Sequence, residues 1–152
     1  MQVKLKIRRF DPDTDRPASH FEEYELEMTE ANTVLDALIQ IREEMDGTLA
    51  LRCSCRSAIC GSCAMRVNGH AKLACKIKVI TVAPNGEPVT VEPMGNQRVI
   101  RDLVVDFQLF WGKIRAVEPY LQPSGPEPED EYIASNEAML ALTTPMGCIM
   151  CG

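Results

Sequence analysis

The chain has 152 residues, 45% of them hydrophobic, and a formal net charge of −6. This length favours one ordinary domain or two small ones, and the apolar content is typical of a globular protein. The negative charge argues against a nucleic-acid partner, because affinity for nucleic acid depends on neutralising phosphates. No apolar run approaches the roughly 20 residues that cross a bilayer, and the first residues resemble neither a secretory signal nor a transit peptide. We expect a bacterial cytosolic or peripheral protein.

Two segments near the start alternate apolar and charged side chains. Their apolar positions are Val3, Leu5 and Ile7 in residues 2–8, and Tyr24, Leu26 and Met28 in residues 21–28. A period of two is typical of half-buried strands. Residues 11–17, which are rich in Pro and Asp, predict a loop between them. The sequence therefore predicts a β-hairpin.

A helix is predicted after this hairpin. Thr33 can cap its start, and Asp36 is placed to complete a capping box. Apolar residues recur at helical spacing as far as Met45, and Gly47 is expected to end the helix as a C′ glycine. A hairpin followed by a helix is the order in which a β-grasp fold begins.

Further short strands and helices are predicted from turn signals and periodicity. Asn68-Gly69 and Asn85-Gly86 mark turns, with strands expected at residues 64–67, 73–75, 77–82 and 89–91. One small mixed sheet would then close by about residue 93. Beyond it, residues 99–111 have a helical period, residues 123–131 form an acidic, Pro-rich linker, and residues 134–142 predict a short helix. The predicted class is α+β.

Seven cysteines in a chain without a recognisable export signal indicate metal binding or catalysis rather than a disulfide scaffold. Four residues separate Cys55 from Cys60, two separate Cys60 from Cys63, and eleven separate Cys63 from Cys75. Cys-x4-Cys-x2-Cys with a remote fourth cysteine is the spacing that binds a plant-type 2Fe-2S cluster. The predicted ligands are Cys55, Cys60, Cys63 and Cys75. Gly61 is expected to let backbone amides approach the sulfurs.

Other roles for these cysteines are less favoured. Zinc is the main competing metal, but structural zinc sites usually join two separate Cys-x2–4-Cys pairs, whereas here three ligands share one loop. A nucleophilic cysteine is disfavoured because neither His20 nor His70 is placed to act as its base. No catalytic residue is predicted on this chain. Cys53 is interpreted as a small buried side chain and not as a ligand.

A second cysteine pair, Cys148 and Cys151, stands close to the end of the chain. Two thiolates cannot complete a tetrahedral site. The pair resembles the opening of the Cys-x2-Cys-x2-Cys-x3-Cys-Pro run that binds 4Fe-4S clusters in bacterial ferredoxins. We therefore expect a β-grasp 2Fe-2S domain over residues 1–96 and, over residues 97–152, the start of a helical ferredoxin-like domain that continues past Gly152.

Taken together, these blocks resemble the iron–sulfur subunit of succinate dehydrogenase and of its relative fumarate reductase. The matching stretches are RCSCRSAICGSC at 52–63, LAC at 73–75, VIRDLVVD at 99–106, EPYL at 118–121 and CIMC at 148–151. The resemblance implies a 2Fe-2S cluster on the four cysteines of the loop and the first two 4Fe-4S ligands at Cys148 and Cys151. It also implies 4Fe-4S and 3Fe-4S clusters in the complete subunit.

The same resemblance implies partners and a location. Electrons would come from a FAD flavoprotein subunit, where succinate is oxidised, and pass toward quinone at a membrane-anchor subunit of the cytochrome b type. The subunit would lie on the cytoplasmic face of the bacterial cytoplasmic membrane, held there by the anchor. The chain itself lacks a Gly-rich dinucleotide fingerprint, so no substrate site is expected on it.

Two other electron carriers share part of this pattern. Molybdenum hydroxylase small subunits have similar loop spacing but carry a Cys-x-Cys soon afterwards, whereas 72 residues without cysteine follow Cys75 here. A stand-alone plant-type ferredoxin should end soon after the β-grasp. The direction, succinate oxidation or fumarate reduction, stays open because no residue records the potential of the quinone.

Overall fold

The computed structural model describes residues 1–15, 17–120, 122 and 125–152 of the chain. Its main sheet contains β1 (Gln2–Arg9), β2 (His20–Glu27), β3 (Ala64–Val67), β4 (His70–Leu73) and β5 (Val89–Glu92). These strands lie in the order β2-β1-β5-β3-β4. β1 runs parallel to β5, and the other neighbouring pairs are antiparallel. A helix packed on this mixed sheet makes the predicted α+β, β-grasp architecture, which is confirmed.

β1 and β2 form the predicted hairpin, in which Leu5 lies opposite Tyr24. The inward side chains of β1, among them Leu5 and Ile7, are fully buried. Burying a large aliphatic side chain contributes about 1.5–3 kcal/mol. A slip of one residue would turn every one of these side chains toward solvent. Burial therefore fixes the register of the pair.

Helix α1 (Val34–Gln40) begins as predicted, with a complete capping box. The Thr33 hydroxyl accepts from the Asp36 amide at 3.2 Å, and the Asp36 carboxylate accepts from the Thr33 amide at 2.8 Å. The helix continues as one π-helical turn at Ile41–Met45. Gly47 follows it at the predicted place but does not adopt a left-handed φ. The apolar face of α1 joins the buried core of the sheet.

The Asn68-Gly69 turn is confirmed, and both residues have left-handed φ, 48° and 79°. The strand that follows it is β4 (His70–Leu73), so the predicted strand at residues 73–75 is wrong in position.

The predicted strand at residues 77–82 is also wrong, because its last part is the short helix α2 (Val79–Val82). The backbone at Ile77 and Val79 bonds to the segment that leads into α1: the Ile77 carbonyl accepts from Val34 and the Val79 amide donates to Asn32. These groups are therefore not available to the main sheet. The predicted strand at residues 89–91 is confirmed as β5.

The predicted helix over residues 99–111 is wrong in its first half. This region contains a small hairpin of β6 (Val99–Arg101) and β7 (Val104–Val105), and helix α3 (Gln108–Ala116) starts only afterwards. Asp102 turns the hairpin at φ 44°. Leu103 and Val105 are buried in the same core as the main sheet. Long-range packing has overridden the local helical period, as tertiary context often does.

The last part of the described chain is mostly exposed. α4 (Asn136–Ala141), capped by Ser135, confirms the predicted short helix, and α5 (Thr143–Met146) follows it. Residues 125–131 of the predicted linker are irregular and exposed, whereas its residues 123 and 124, like Leu121 of the EPYL block, lie outside the described residues. None of the helices in the described ranges combines the length and apolarity that a membrane crossing requires.

Candidate iron–sulfur site

The cysteine loop, residues 51–63, joins the helical segment to β3 without regular structure. Two non-glycine residues in it, Arg56 and Ala58, have left-handed φ of 54° and 58°, and Gly61 has φ 72°. A left-handed residue that is not glycine costs roughly 1–2 kcal/mol. Such strain persists only where the surroundings enforce it, and it clusters at ligand sites. The loop therefore has a shape that its own local preferences would not choose.

Cys55 and Cys60 form the first pair of thiols in this loop. The Cys55 Sγ accepts a hydrogen bond from the Cys60 amide at 3.4 Å and from the Ser57 amide at 3.3 Å. Amide donors directed at ligand sulfurs are among the contacts that tune iron–sulfur sites. The sequence predicted such amides around Gly61, and the structure identifies the donors as Ser57 and Cys60.

Cys60 is prepared to bind a metal ion. Its Sγ lies 3.3 Å from the Ser62 hydroxyl oxygen. The hydrogen bond with Ser62, aided by contacts with Cys55, lowers the pKa of the Cys60 thiol to about 6. The thiolate is the form that binds metal. The lowered pKa of Cys60 therefore favours the form that binds metal.

Cys63 and Cys75 form the second pair. Cys63 directly precedes β3, Cys75 lies just after β4, and the pairing of Ala64 with Leu73 brings the two together. The Ala74 amide also donates to the Cys63 carbonyl at 3.1 Å. Burial, together with the neighbouring Cys75, raises the pKa of the Cys63 thiol to about 11. Because the pKa of Cys63 is raised, metal binding at this thiol has to displace a proton.

The four predicted ligands thus form two neighbouring pairs. Cys60 also acts electrostatically on Cys63, which links the pairs across the loop. Within the described part of the chain, no three side chains of His, Cys, Asp or Glu converge on a single ion position. A 2Fe-2S cluster needs four protein thiolates shared between two irons. Two adjacent pairs of thiols are a donor set that fits this group.

A buried charged network, which the sequence analysis did not identify, lies at the start of the loop. Arg9 is buried at the end of β1. Its guanidinium donates to Asp102 at 3.0 Å, Tyr24 at 2.6 Å and Thr48 at 2.8 Å, and it also pairs with Asp46. The sequence contained a signal for this network. Arg9 lies at an inward-facing position of β1, and a charged side chain buried there needs charged or polar partners.

Asp102 connects this network to the cysteine loop. Its carboxylate accepts from the Phe10 amide at 2.9 Å and from the Ala50 amide at 2.8 Å. The Ala50 carbonyl in turn accepts from the Leu103 amide at 3.2 Å. Because Ala50 directly precedes the loop, Asp102 fixes the point from which the loop leaves the core.

Cys148 and Cys151 lie beside the β-grasp domain. The Met150 amide donates to the Cys148 Sγ at 3.4 Å, which repeats the amide-to-sulfur contact seen at Cys55. The Asn96 side-chain amide donates to the carbonyls of Cys151 at 3.4 Å and Gly152 at 3.2 Å. The segment that follows the main sheet therefore holds this second cysteine group in place.

The remaining candidates have ordinary surroundings. Cys53 packs against the core but is only half-buried, less than its interpretation as a small buried side chain predicted. The His20 ring lies 3.2 Å from the Glu22 carboxylate on the exposed side of β2. His70 is exposed at the start of β4. The structure brings neither histidine into the cysteine loop.

Comparison with known proteins agrees with this geometry. A family model described as a 2Fe-2S iron-sulfur cluster binding domain matches residues 4–112. A fumarate reductase iron-sulfur subunit of Mycobacterium tuberculosis is 38% identical, over 99% of this chain and 62% of the relative. A mitochondrial succinate dehydrogenase (ubiquinone) iron-sulfur subunit of Oryza sativa subsp. japonica is 35% identical, over 97% of this chain and 52% of the relative.

A comparison with solved structures gives a consistent result. A chain of the Mycobacterium smegmatis Sdh1 complex in the apo form superposes with a TM-score of 0.81 and 29% identity, over 99% of this chain and 60% of that one. The chain spans between 52% and 62% of the length of the two curated relatives. The resemblance to the iron–sulfur subunits of succinate dehydrogenase and fumarate reductase is confirmed. The chain belongs to the family of 2Fe-2S iron-sulfur cluster binding domains.

Proposed function

We propose that this chain is the electron-transfer subunit of a succinate:quinone oxidoreductase. It would relay electrons from a FAD-containing flavoprotein subunit, where succinate becomes fumarate, toward quinone at a cytochrome b type membrane-anchor subunit. The observation that carries this proposal is the hydrogen bonding of the Cys148–Cys151 segment to Asn96 and Gln97, which follow the sheet of the domain that holds the two thiol pairs. A relay requires successive redox sites held together, whereas a stand-alone carrier requires one.

The residues have distinct parts in this proposal. Cys55, Cys60, Cys63 and Cys75 would hold the 2Fe-2S cluster, and Cys148 and Cys151 would supply two ligands of a 4Fe-4S cluster. A bound cluster supplies one-electron transfer. The Ser62 hydroxyl lowers the pKa of Cys60, and the amides of Ser57 and Cys60 donate to the Cys55 sulfur. The 3Fe-4S cluster is expected only in the complete subunit, and the division at residues 96 and 97 remains a prediction.

The location and direction follow from the same proposal. A chain held by a membrane-anchor subunit would be peripheral, on the cytoplasmic face of the bacterial cytoplasmic membrane. Either direction of the reaction is compatible with the site, because the potential of the quinone decides it. Fumarate reduction is therefore the alternative for the same assembly.

Co-purification tests the proposed partners. The chain, tagged and expressed from its own locus, should carry a FAD flavoprotein through a gentle purification in detergent, together with succinate-dependent dye reduction. The untagged strain serves as the control. A cluster-bearing chain that elutes without flavin, from cells in which the flavoprotein is present, would contradict the relay and favour a stand-alone ferredoxin.

A further inference from the structure

Gly61 and Met150 are in contact between the two cysteine groups. A Cβ placed on Gly61 would lie 2.9 Å from Met150 Cε and 3.1 Å from Met150 Cγ. Carbon atoms in ordinary contact are about 3.5–4.0 Å apart, so the Met150 side chain occupies the space that a larger residue at position 61 would need. Gly61 is bonded to Cys60, and Met150 is bonded to Cys151. The contact therefore joins the direct neighbours of two predicted ligands.

Met150 is held in this position on several sides. Its φ of 54° is left-handed, a conformation that costs a non-glycine residue roughly 1–2 kcal/mol. Its amide donates to Cys148 Sγ at 3.4 Å, and its carbonyl accepts from the Gln97 side chain at 3.3 Å. The side chain is half-buried. The unbranched thioether side chain of a methionine can pack closely against the backbone of a glycine. The contacts with Cys148 and Gln97 hold it beside Gly61.

We propose that Met150 is a positioning residue: it docks the segment of Cys148 and Cys151 onto the cysteine loop through Gly61 and so sets the separation of the two cysteine sites. The inference rests on the proposed function where it treats both groups as redox sites. A path from Cys60 to Cys151 through Gly61 and Met150 then follows covalent bonds except at one van der Waals contact, between Gly61 and Met150. A side chain at position 61 would widen that gap.

Methionine-methyl NMR of the full chain tests this contact. The protein carries its native iron and ¹³C-methyl methionine, and spectra are compared before and after stepwise reduction to a potential at which EPR shows only the 2Fe-2S cluster reduced. The paramagnetic centre on the cysteine loop should broaden the Met150 methyl signal far more than the signals of Met139 and Met146, which are exposed on α4 and α5. A Met150 signal as sharp as those two in the reduced protein would overturn the proposal.

Two glycine substitutions sharpen the test. Gly61→Ala should displace Met150 and reduce the broadening of its methyl signal severalfold, while the EPR signal of the reduced protein persists. Gly69→Ala is the matched control, because Gly69 also has a left-handed φ but a Cβ there meets no atom within 4 Å. Unchanged broadening in Gly61→Ala would overturn the proposal, and if that variant fails to fold, the wild-type spectrum decides.

The outcomes separate this inference from the proposed function. A wild-type protein with no EPR signal after reduction contradicts the proposed function, and this inference is overturned with it. A protein with the EPR signal but a sharp Met150 methyl keeps the 2Fe-2S site and loses only the docking contact.

Discussion

Two thiols of one loop, Cys60 and Cys63, are shifted in opposite directions. The Ser62 hydroxyl lowers the pKa of Cys60 to about 6, whereas burial raises the pKa of Cys63 to about 11. Spacing along the sequence was sufficient to predict both positions as ligands. It could not predict their protonation, because that depends on a hydroxyl contact and on burial, which exist only in the folded chain.

Removing the Ser62 hydroxyl should raise the pKa of Cys60, because this hydrogen bond is the largest cause of its lowering. In Ser62→Ala the pKa of Cys60 should rise from about 6 toward the usual value of about 8.5. Because the thiolate is the form that reacts, the onset of Cys60 alkylation in metal-free protein should move to higher pH. Mass spectrometry of iodoacetamide-treated samples measures this profile.

Ser57→Ala is the matched control, since the Ser57 hydroxyl donates to the Cys55 carbonyl at 3.0 Å and not to a sulfur. Its Cys60 profile should equal that of the wild type. If Ser62→Ala also kept the wild-type midpoint, the hydroxyl would not be the cause of the shift.

At the scale of elements, periodicity predicted the segments whose burial is regular. The hairpin of β1 and β2 and the capped start of α1 follow local rules, so they were predictable. Residues 99–105 are different, because Asp102 and its long-range partners decide their conformation. Apolar residues can recur at helical spacing because they are buried against a distant segment. Sequence alone cannot distinguish such a pattern from that of a true helix.

Asp102 should contribute strongly to stability. In Asp102→Ala, Arg9 would lose its buried partner and Ala50 its acceptor, and removal of one partner of a buried pair typically costs about 3–5 kcal/mol. Urea denaturation followed by circular dichroism measures the free energy of unfolding.

Asp13→Ala provides the comparison, because Asp13 forms an exposed pair with Arg101. Surface pairs contribute about 0–1 kcal/mol, so this variant should unfold close to the wild-type midpoint. Equal losses in the two variants would show that the Arg9 network does not stabilise the fold as described.

At the scale of the whole molecule, the packed core of the β-grasp sheet includes residues that follow position 97. Leu103 and Val105 share the core of the β-grasp sheet, and the family match runs to residue 112. The helices after it, α3, α4 and α5, contain no buried residue, and the exposed fractions of Leu109 and Ile133 are 77% and 92%. The change of composition near residue 97 therefore precedes the end of the packed core.

The function proposed for the chain depends on a 2Fe-2S cluster held by the cysteine loop. Low-temperature EPR of the dithionite-reduced protein, with iron and acid-labile sulfide counted on the same sample, tests it most directly. We expect the signal of a reduced 2Fe-2S cluster, with iron and sulfide in equal amounts. Serine substitution of Cys55, Cys60, Cys63 or Cys75 should abolish or alter that signal, whereas Cys53→Ser should leave it unchanged. A featureless spectrum from protein that contains zinc and no sulfide would contradict the proposed cluster.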